Sequence, residues 1–163
     1  MLNYVLAKED LLSAVAQIQE KKDLSGHVGA DYYEPGKMEN LDQYLGVYDE
    51  NTKTITLRTE SKGLRYEERT PRLDYRSVGD PVQLVREPTN SFNSNNIMIL
   101  SDSGESLGNL SADLCNVISP LLDLGYLTIH DAHITYIERI RERSRYARQG
   151  VLFIQFQVQL HGI

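Results

Sequence analysis

The sequence has no tryptophan and only one cysteine, five prolines and three methionines among its 163 residues. The single cysteine, Cys115, excludes an internal disulfide and is typical of a reducing compartment, so we expect a cytoplasmic location. No apolar run reaches the roughly 18 residues of a membrane helix, and the N-terminus lacks the pattern of a signal peptide. We therefore expect no contact with a membrane. The remaining composition, 40% hydrophobic and 25% charged, favours a globular chain with a core of its own.

Patterns that would indicate a metal or a cofactor are also missing. The sequence contains no glycine-rich phosphate loop with lysine and no H-E-x-x-H pair. His130 and His133 are three residues apart, which places them on opposite faces of a strand, so a shared metal ion is not expected. A structural zinc site is not expected either, because Cys115 has no second cysteine or nearby histidine pair. The sequence thus predicts a protein that is not an enzyme and carries neither metal nor cofactor.

The net charge of −6 is unevenly distributed along the chain. Residues 1–60 carry 6 basic and 11 acidic residues, a net charge of −5, whereas residues 61–163 carry 11 basic and 12 acidic residues, a net charge of −1. Ten of those 11 basic residues are arginines, which suit bidentate phosphate contacts and stacking on bases. The distribution argues against a broad basic surface for DNA and leaves a small local site open.

Hydrophobic spacing divides the chain at about residue 43. Leu11, Leu12, Val15 and Ile18 recur at helical spacing and predict an amphipathic helix over about residues 8–22, which we interpret as a packing helix. Residues 23–43 contain glycine and proline without a sustained period and are typical of a connector. We therefore expect an N-terminal helical extension, residues 1–43, followed by a domain at residues 44–163.

The domain at residues 44–163 is predicted to be α+β. Period-two alternation predicts several short strands, and the clearest of them covers residues 152–160. Ser111 is a suitable N-cap and Gly125 a suitable C-cap for a helix over residues 112–124. Pro120 lies inside that helix and predicts a kink or a pair of short helices. Short strands around a helix pair favour a curled or barrel-like, mostly antiparallel sheet.

Five segments of this domain carry a distinctive order of residues. They are Gly63-Leu64-Arg65-Tyr66 with Arg69 behind it, the run from Val78 to Pro88 that contains Leu84-Val85-Arg86-Glu87-Pro88, the run from Asn90 to Ile97, Gly104 to Leu110, and Pro120 to Gly125. Much of this pattern has an architectural interpretation, since asparagines stabilise an irregular loop and glycines form turns. The order and spacing nevertheless resemble the HIRAN domain over about residues 55–160.

The resemblance implies an OB-like β-barrel and a role in nucleic-acid metabolism. HIRAN domains occur alone in bacteria and fused to SNF2-type helicases in eukaryotes, and the family includes a domain that grips the 3′ end of single-stranded DNA. The implied function is a non-enzymatic module that recognises single-stranded DNA ends during repair or processing. The partner protein that this function implies is a helicase or a nuclease. The residues implied to bind nucleic acid are Arg65, Tyr66, Arg69, Arg86, Asn90, Phe92, Asn93 and Asn109.

The sequence departs from the family pattern inside the implied site. Asn93 stands in place of the usual aspartate and Asn109 in place of tyrosine or histidine. Glu67 occupies a position where a second aromatic ring would help stacking, and Ala112 replaces a basic residue. These departures keep an alternative open, in which the HIRAN fold has lost the binding of DNA ends and serves as a protein–protein interaction or assembly domain, including a homo-oligomer.

A second basic segment lies outside the motif. Arg139, Arg141, Arg143 and Arg145 would share one face of an extended hairpin. Either a phosphate contact or a solvated hairpin tip explains this spacing, and the sequence does not separate the two.

Overall fold

The computed structural model describes residues 9–11, 13, 43–67, 69–139 and 150–162. These residues form an α+β fold of antiparallel strands with few helices. In chain order the elements are β1 (Leu45–Asp49), β2 (Thr54–Glu60), α1 (Arg69–Arg72) with a 3-10 turn (Leu73–Tyr75), β3 (Val82–Arg86), β4 (Ile97–Ser101), β5 (Ser106–Asn109), α2 (Ala112–Asp123), β6 (Leu127–Glu138) and β7 (Val151–Leu160).

The core forms along the strand with the most regular alternation, as the sequence predicts. Every second residue of β7 is buried, and its register partners on β2 and β6 bury the same face of the sheet. Helix α2 begins at the predicted cap, where the Ser111 hydroxyl accepts a hydrogen bond from the Leu114 N–H. Its apolar side is buried in the same core cluster. The buried residues that β7 and α2 contribute to this core are Leu152, Ile154, Phe156 and Val158 from β7 and Leu114, Cys115, Ile118 and Leu121 from α2.

The strands of the described residues form two sheets and do not close into the expected barrel. One sheet has the order β1-β2-β7-β6 and the other the order β3-β4-β5. Isolated bridges connect them at Lys62 with Asn109 and at Pro81 with His133. The first contact ends where the chain turns at Gly63, whose φ is +81°. At the second contact the backbone N–H of Ile134 donates to the Asp80 carbonyl at 2.9 Å, and that of Gly79 donates to the Ile134 carbonyl at 2.8 Å.

Helix α2 also differs from the expected pair of short helices. It continues through Pro120 to Asp123 as one helix. Proline removes one backbone hydrogen bond from a helix interior, yet Val117, Ile118 and Leu121 around it are buried. Burial of these side chains, each typically about 1.5–3 kcal/mol, offsets the lost bond and keeps the helix continuous.

The described part of the N-terminal segment contacts the first hairpin. Residues 9–11 and 13 are helical, and the rest of the predicted helix lies outside the described residues. Leu11 is 1% exposed and belongs to the core cluster. Asp10 accepts a hydrogen bond from the Tyr48 hydroxyl and lies 3.2 Å from the Lys53 ammonium. No helix in the described ranges is long and apolar enough to cross a bilayer.

Candidate nucleic-acid interface

A cleft of about 830 Å³ opens between the turn at Gly63, the loop between β3 and β4, and the end of β5. Six of the eight residues implied by the resemblance line it, namely Tyr66, Arg69, Asn90, Phe92, Asn93 and Asn109. The sequence interpretation missed several other lining residues, which are Lys62, Gly63, Glu87, Met98 and Leu110. Most of these belong to the same motif segments, so the motif order was the available signal for them.

The loop between β3 and β4, residues 87–96, is held by its own side-chain amides. The Asn90 side-chain oxygen accepts from the backbone N–H groups of Phe92 and Asn93, both at 2.9 Å. The Asn93 side-chain oxygen accepts from the Asn95 N–H, also at 2.9 Å. Glu87 accepts in turn from the Asn90 amide. Such bonds replace regular secondary structure and fix one loop conformation.

Helix α2 anchors this asparagine loop from below. The Asn116 side-chain oxygen accepts from the amide groups of Asn93 and Asn95 at 3.1 and 3.2 Å. The Ser119 hydroxyl donates to the Asn95 carbonyl at 2.6 Å. Asn116 and Ser119 lie outside the motif segments of the sequence. Their role is visible only once α2 is packed against the loop. The loop is therefore fixed both by its own side chains and by its contacts with α2.

Two aromatic rings at the cleft remain open to solvent, Phe92 on the asparagine loop and Tyr66 on the turn at Gly63. Phe92 is 97% exposed, although burying a phenylalanine typically contributes about 1.5–3 kcal/mol. Tyr66 is 55% exposed. The Arg65 guanidinium lies 4.9 Å from the Tyr66 ring centroid and donates to the Tyr66 hydroxyl at 2.7 Å. Rings displayed on a rigid support are suited to stacking against a flat ligand such as a base.

Arg69 supports the cleft wall from inside. Its side chain is largely buried, donating to the Gly63 carbonyl at 3.1 Å and to the Glu67 carboxylate at 2.8 Å. The φ of +81° favours glycine at this turn, and a Cβ at Gly63 would lie 2.9 Å from the Arg69 guanidinium, which would have to shift. Arg69 thus stabilises the turn that carries Tyr66.

The end of β5 adds an amide group beside the turn at Gly63, and the asparagine loop adds a carboxylate. The Asn109 side-chain oxygen accepts from the Asn96 amide at 2.9 Å, and Asn96 also donates to Glu87 at 2.9 Å. This leaves the Asn109 NH₂ group without a hydrogen-bond acceptor among the described residues. The charged side chains that line the cleft are Lys62 and Arg69 on one hand and Glu67 and Glu87 on the other. The cleft is therefore balanced in charge.

The family profile of the HIRAN domain matches residues 55–151, more than half of the chain. The chain belongs to the HIRAN domain family. HIRAN domains are in general DNA-binding modules and are not catalytic by themselves. A search of curated proteins found no match to the chain.

Two solved structures resemble this HIRAN domain. The HIRAN domain of human HLTF has 20% sequence identity, covers 63% of this chain and 74% of its own, and superposes with a TM-score of 0.46. A protein from Lactobacillus plantarum has 19% identity, covers 65% of this chain and 96% of its own, and gives a TM-score of 0.49. The family assignment stands on the sequence profile.

Arg86 of this HIRAN domain does not line the cleft. Its guanidinium makes a two-pronged contact with the Asp123 carboxylate, with both N–O distances at 2.9 Å. The third nitrogen donates to the Asn96 carbonyl at 2.8 Å. Arg86 therefore connects the end of β3 to the end of α2, and its donors serve the fold.

The basic segment after β6 is described only at its first residue. Arg139 donates to the Leu73 carbonyl at 3.2 Å and to the Arg76 carbonyl, and it lies 3.8 Å from Asp74. These contacts hold it against the 3-10 turn. The predicted partners Arg141, Arg143 and Arg145 lie outside the described residues. The second basic patch stays a prediction.

One sequence pattern carries an enzymatic association that the sequence interpretation overlooked. Residues 104–108 read Gly-Glu-Ser-Leu-Gly, the spacing G-x-S-x-G of a nucleophile elbow. An elbow places its serine between a strand and a helix, whereas Ser106 begins β5 in a hairpin. Within the described ranges no histidine contacts the Ser106 hydroxyl and no cluster of three metal-ligating side chains occurs. The geometry does not support a hydrolase site.

Proposed function

We propose that this HIRAN domain binds single-stranded DNA in the cleft and that it recognises a strand end during repair or processing. The observation that carries the proposal is Phe92, a fully exposed ring on a loop locked by side-chain amides. Tyr66 lines the same cleft. Stacking of a base on an aromatic ring contributes roughly 1–3 kcal/mol and accepts any base, so the two rings provide affinity without sequence preference.

The charges of the cleft support binding of an end over binding of a continuous backbone. Glu87 and Glu67 line the cleft, and carboxylates repel phosphates. A terminal hydroxyl carries no charge and donates a hydrogen bond to a carboxylate. The Asn109 NH₂ group, which has no acceptor among the described residues, is a donor for a base carbonyl or ring nitrogen. A short strand with a free hydroxyl end therefore fits the cleft better than an internal segment.

Fluorescence polarisation with 5′-labelled hexathymidylate tests the proposal on the full chain. We expect binding at low salt, weaker binding when a 3′-phosphate replaces the 3′-hydroxyl, and a loss of about fivefold or more in Phe92→Ala, the effect of one stacked base. Tyr75→Ala is the matched control, since Tyr75 is an 82% exposed aromatic residue outside the cleft. No binding at low salt, or equal binding by Phe92→Ala, would overturn the proposal.

A protein partner at the same surface is the second candidate. An exposed Phe92 beside a charge-balanced cleft is also suited to a protein interface, where aromatic residues contribute most of the binding energy. Assembly through this surface predicts a concentration-dependent dimer in light scattering that Phe92→Ala removes. A monomer at all concentrations that binds the oligonucleotide would exclude homo-oligomerisation through this surface.

A further inference from the structure

The outer face of the four-stranded sheet is polar and lies outside the cleft. The odd-numbered residues of β7 point away from the core, and those from Phe153 to Gln159 have register partners on both β2 and β6. Three consecutive outward positions of β7 are glutamines, Gln155, Gln157 and Gln159. Phe153 is the aromatic residue of this face on β7, and it occupies the end of the strand opposite Glu60.

Three side chains, Phe153 among them, pack together on this face. The Arg58 guanidinium lies 4.9 Å from the Phe153 ring centroid. The Tyr136 ring meets the Phe153 ring edge to face, with centroids 6.0 Å apart and an angle of 75°. The Arg58 Nε donates to the Thr135 hydroxyl at 3.4 Å, which directs the guanidinium over the ring. We call Arg58, Tyr136 and Phe153 the Arg58 ledge.

The Arg58 ledge presents stacking surfaces to solvent. Tyr136 is 43% exposed, and Arg58 is exposed as well. Phe153 lies against one side of the guanidinium, and Arg58 remains exposed in the part of the chain that the structure describes. Unstacked bases bind both to aromatic rings and to arginine guanidinium planes.

The ledge is continuous with the cleft. Lys62 lines the cleft, and its ammonium lies 4.0 Å from the carboxylate of Glu60 on β2. Glu60 is the register partner of Phe153 on β7. Lys62 and Glu60 are two residues apart along the chain, which corresponds to roughly 7 Å in a strand. Glu60 and Phe153 lie on neighbouring strands, which are about 4.8 Å apart. A strand that leaves the cleft past Lys62 reaches the ledge within a few nucleotides.

The charges between the two sites permit this path. The carboxylates of the described sheet lie at its periphery, with Glu60 and Glu138 beside the ledge and Asp49 and Asp131 farther away at a turn and a bulge. Arg58 contributes a positive charge at the centre of the ledge. Arg58 attracts phosphates to the ledge, and the Lys62 ammonium, 4.0 Å from the Glu60 carboxylate, offsets the negative charge of Glu60 between the cleft and the ledge.

We propose that the Arg58 ledge is a second subsite for single-stranded DNA, which stacks bases located several nucleotides before the end held in the cleft. The inference rests on the proposed function of the cleft. It adds a dependence of affinity on strand length, because a strand too short to reach Tyr136 and Arg58 contacts the cleft alone.

A comparison of 5′-labelled trithymidylate with decathymidylate, both with a 3′-hydroxyl, tests the ledge on the full chain. We expect decathymidylate to bind about fivefold or more tightly, the effect of at least one additional stacked base. Tyr136→Ala and Arg58→Ala should remove this gain and leave trithymidylate binding unchanged, whereas Tyr136→Phe should retain it. Tyr75→Ala serves as the control variant, and circular dichroism checks that each variant is folded.

The outcomes separate the ledge from the cleft. Equal affinity for the two lengths overturns the ledge and leaves the cleft in place. Loss of both affinities together in Tyr136→Ala also overturns the ledge, since the residue then acts on the fold or the cleft. Failure of the wild-type chain to bind either oligonucleotide overturns the proposed function, and the ledge with it.

Discussion

The side-chain oxygen of Asn90 accepts a hydrogen bond from the backbone N–H of Phe92 at 2.9 Å. This contact fixes the backbone at Phe92, which carries the most exposed aromatic ring of the described chain. The ring itself gains nothing from the core, so the asparagine fixes the backbone that carries it. Asn90 is in this sense a positioning residue, although the family resemblance suggests that it contacts nucleic acid.

Replacing Asn90 should therefore reduce binding without removing a ligand contact. Asn90→Ala loses two bonds to backbone N–H groups, and we expect a destabilisation of roughly 1–3 kcal/mol together with a weaker affinity for hexathymidylate. Hydrogen exchange should show faster exchange of the Phe92 and Asn93 amides. Thr89→Ala, an exposed neighbour in the same loop, is the control. Normal affinity with unprotected loop amides would contradict the positioning role.

The sequence predicted elements well where one local rule decides the structure. The alternation in β7 and the cap at Ser111 depend on neighbouring residues alone, and the structure confirms both. Closure of the barrel depends instead on contacts between distant segments. The single bridge at Pro81 is visible only after β3 and β6 have been placed side by side.

The candidate site shows the same division. Phe92 and Asn109 were identified from the motif, and both line the cleft. The motif does not distinguish a side chain that faces a ligand from one that holds the frame, which is why Arg86 was grouped with them. Its partner Asp123 is 37 residues away along the chain. Asn116 was missed for the same reason.

Arg86 offers a direct test of this distinction. Lysine cannot reproduce the two-pronged contact with Asp123, so Arg86→Lys should lower the free energy of unfolding by roughly 1–3 kcal/mol. For a domain of this size that corresponds to about 2–4 °C in melting temperature for each kcal/mol. Affinity for hexathymidylate, measured well below the melting temperature, should be unchanged. An unchanged melting temperature with weakened binding would instead place Arg86 in contact with the ligand.

A comparison of Gly108 with Gly104 separates two reasons for a glycine, its backbone conformation and the space around it. Both have positive φ values, +111° and +87°. A Cβ at Gly108 would lie 2.0 Å from the Ser61 hydroxyl and 2.6 Å from the Lys62 carbonyl, whereas a Cβ at Gly104 would meet nothing within 4 Å. Gly108→Ala should cost about 2–6 kcal/mol from strain and overpacking, and Gly104→Ala about 1–2 kcal/mol. Urea denaturation measures both, and equal losses would contradict the close approach of β5 to Lys62.

Cys115 should be chemically silent in the folded protein. It is fully buried, and burial raises the pKa of its thiol to about 12. Only on the order of one in ten thousand thiols is then ionised at pH 8, and the thiolate is the reactive form. Ellman's reagent should not react with the native chain and should react fully in guanidinium chloride. Rapid reaction under native conditions would show that α2 opens locally.

Tyr48 connects the N-terminal segment to stability at high pH. Burial, reinforced by the hydrogen bond to Asp10 and its negative charge, raises the pKa of Tyr48 to about 12, compared with an ordinary value of 10.0. The folded state therefore retains this proton more tightly than the unfolded state. The corresponding stability is fully present below pH 10 and is lost as the pH rises from 10 to about 12.

A comparison of wild type with Tyr48→Phe isolates this effect, because other titrating groups cancel in the difference. At pH 7 the variant should be less stable by roughly 1 kcal/mol, since it lacks the hydrogen bond to Asp10. Between pH 10 and 12 the wild type alone loses up to about 1.4 kcal/mol per pH unit from this group, so the difference should shrink and reverse sign. Urea denaturation at pH 7, 10 and 11.5 measures it, with the exposed Tyr75→Phe as control. A constant difference across this range would mean that folding does not raise the pKa of Tyr48.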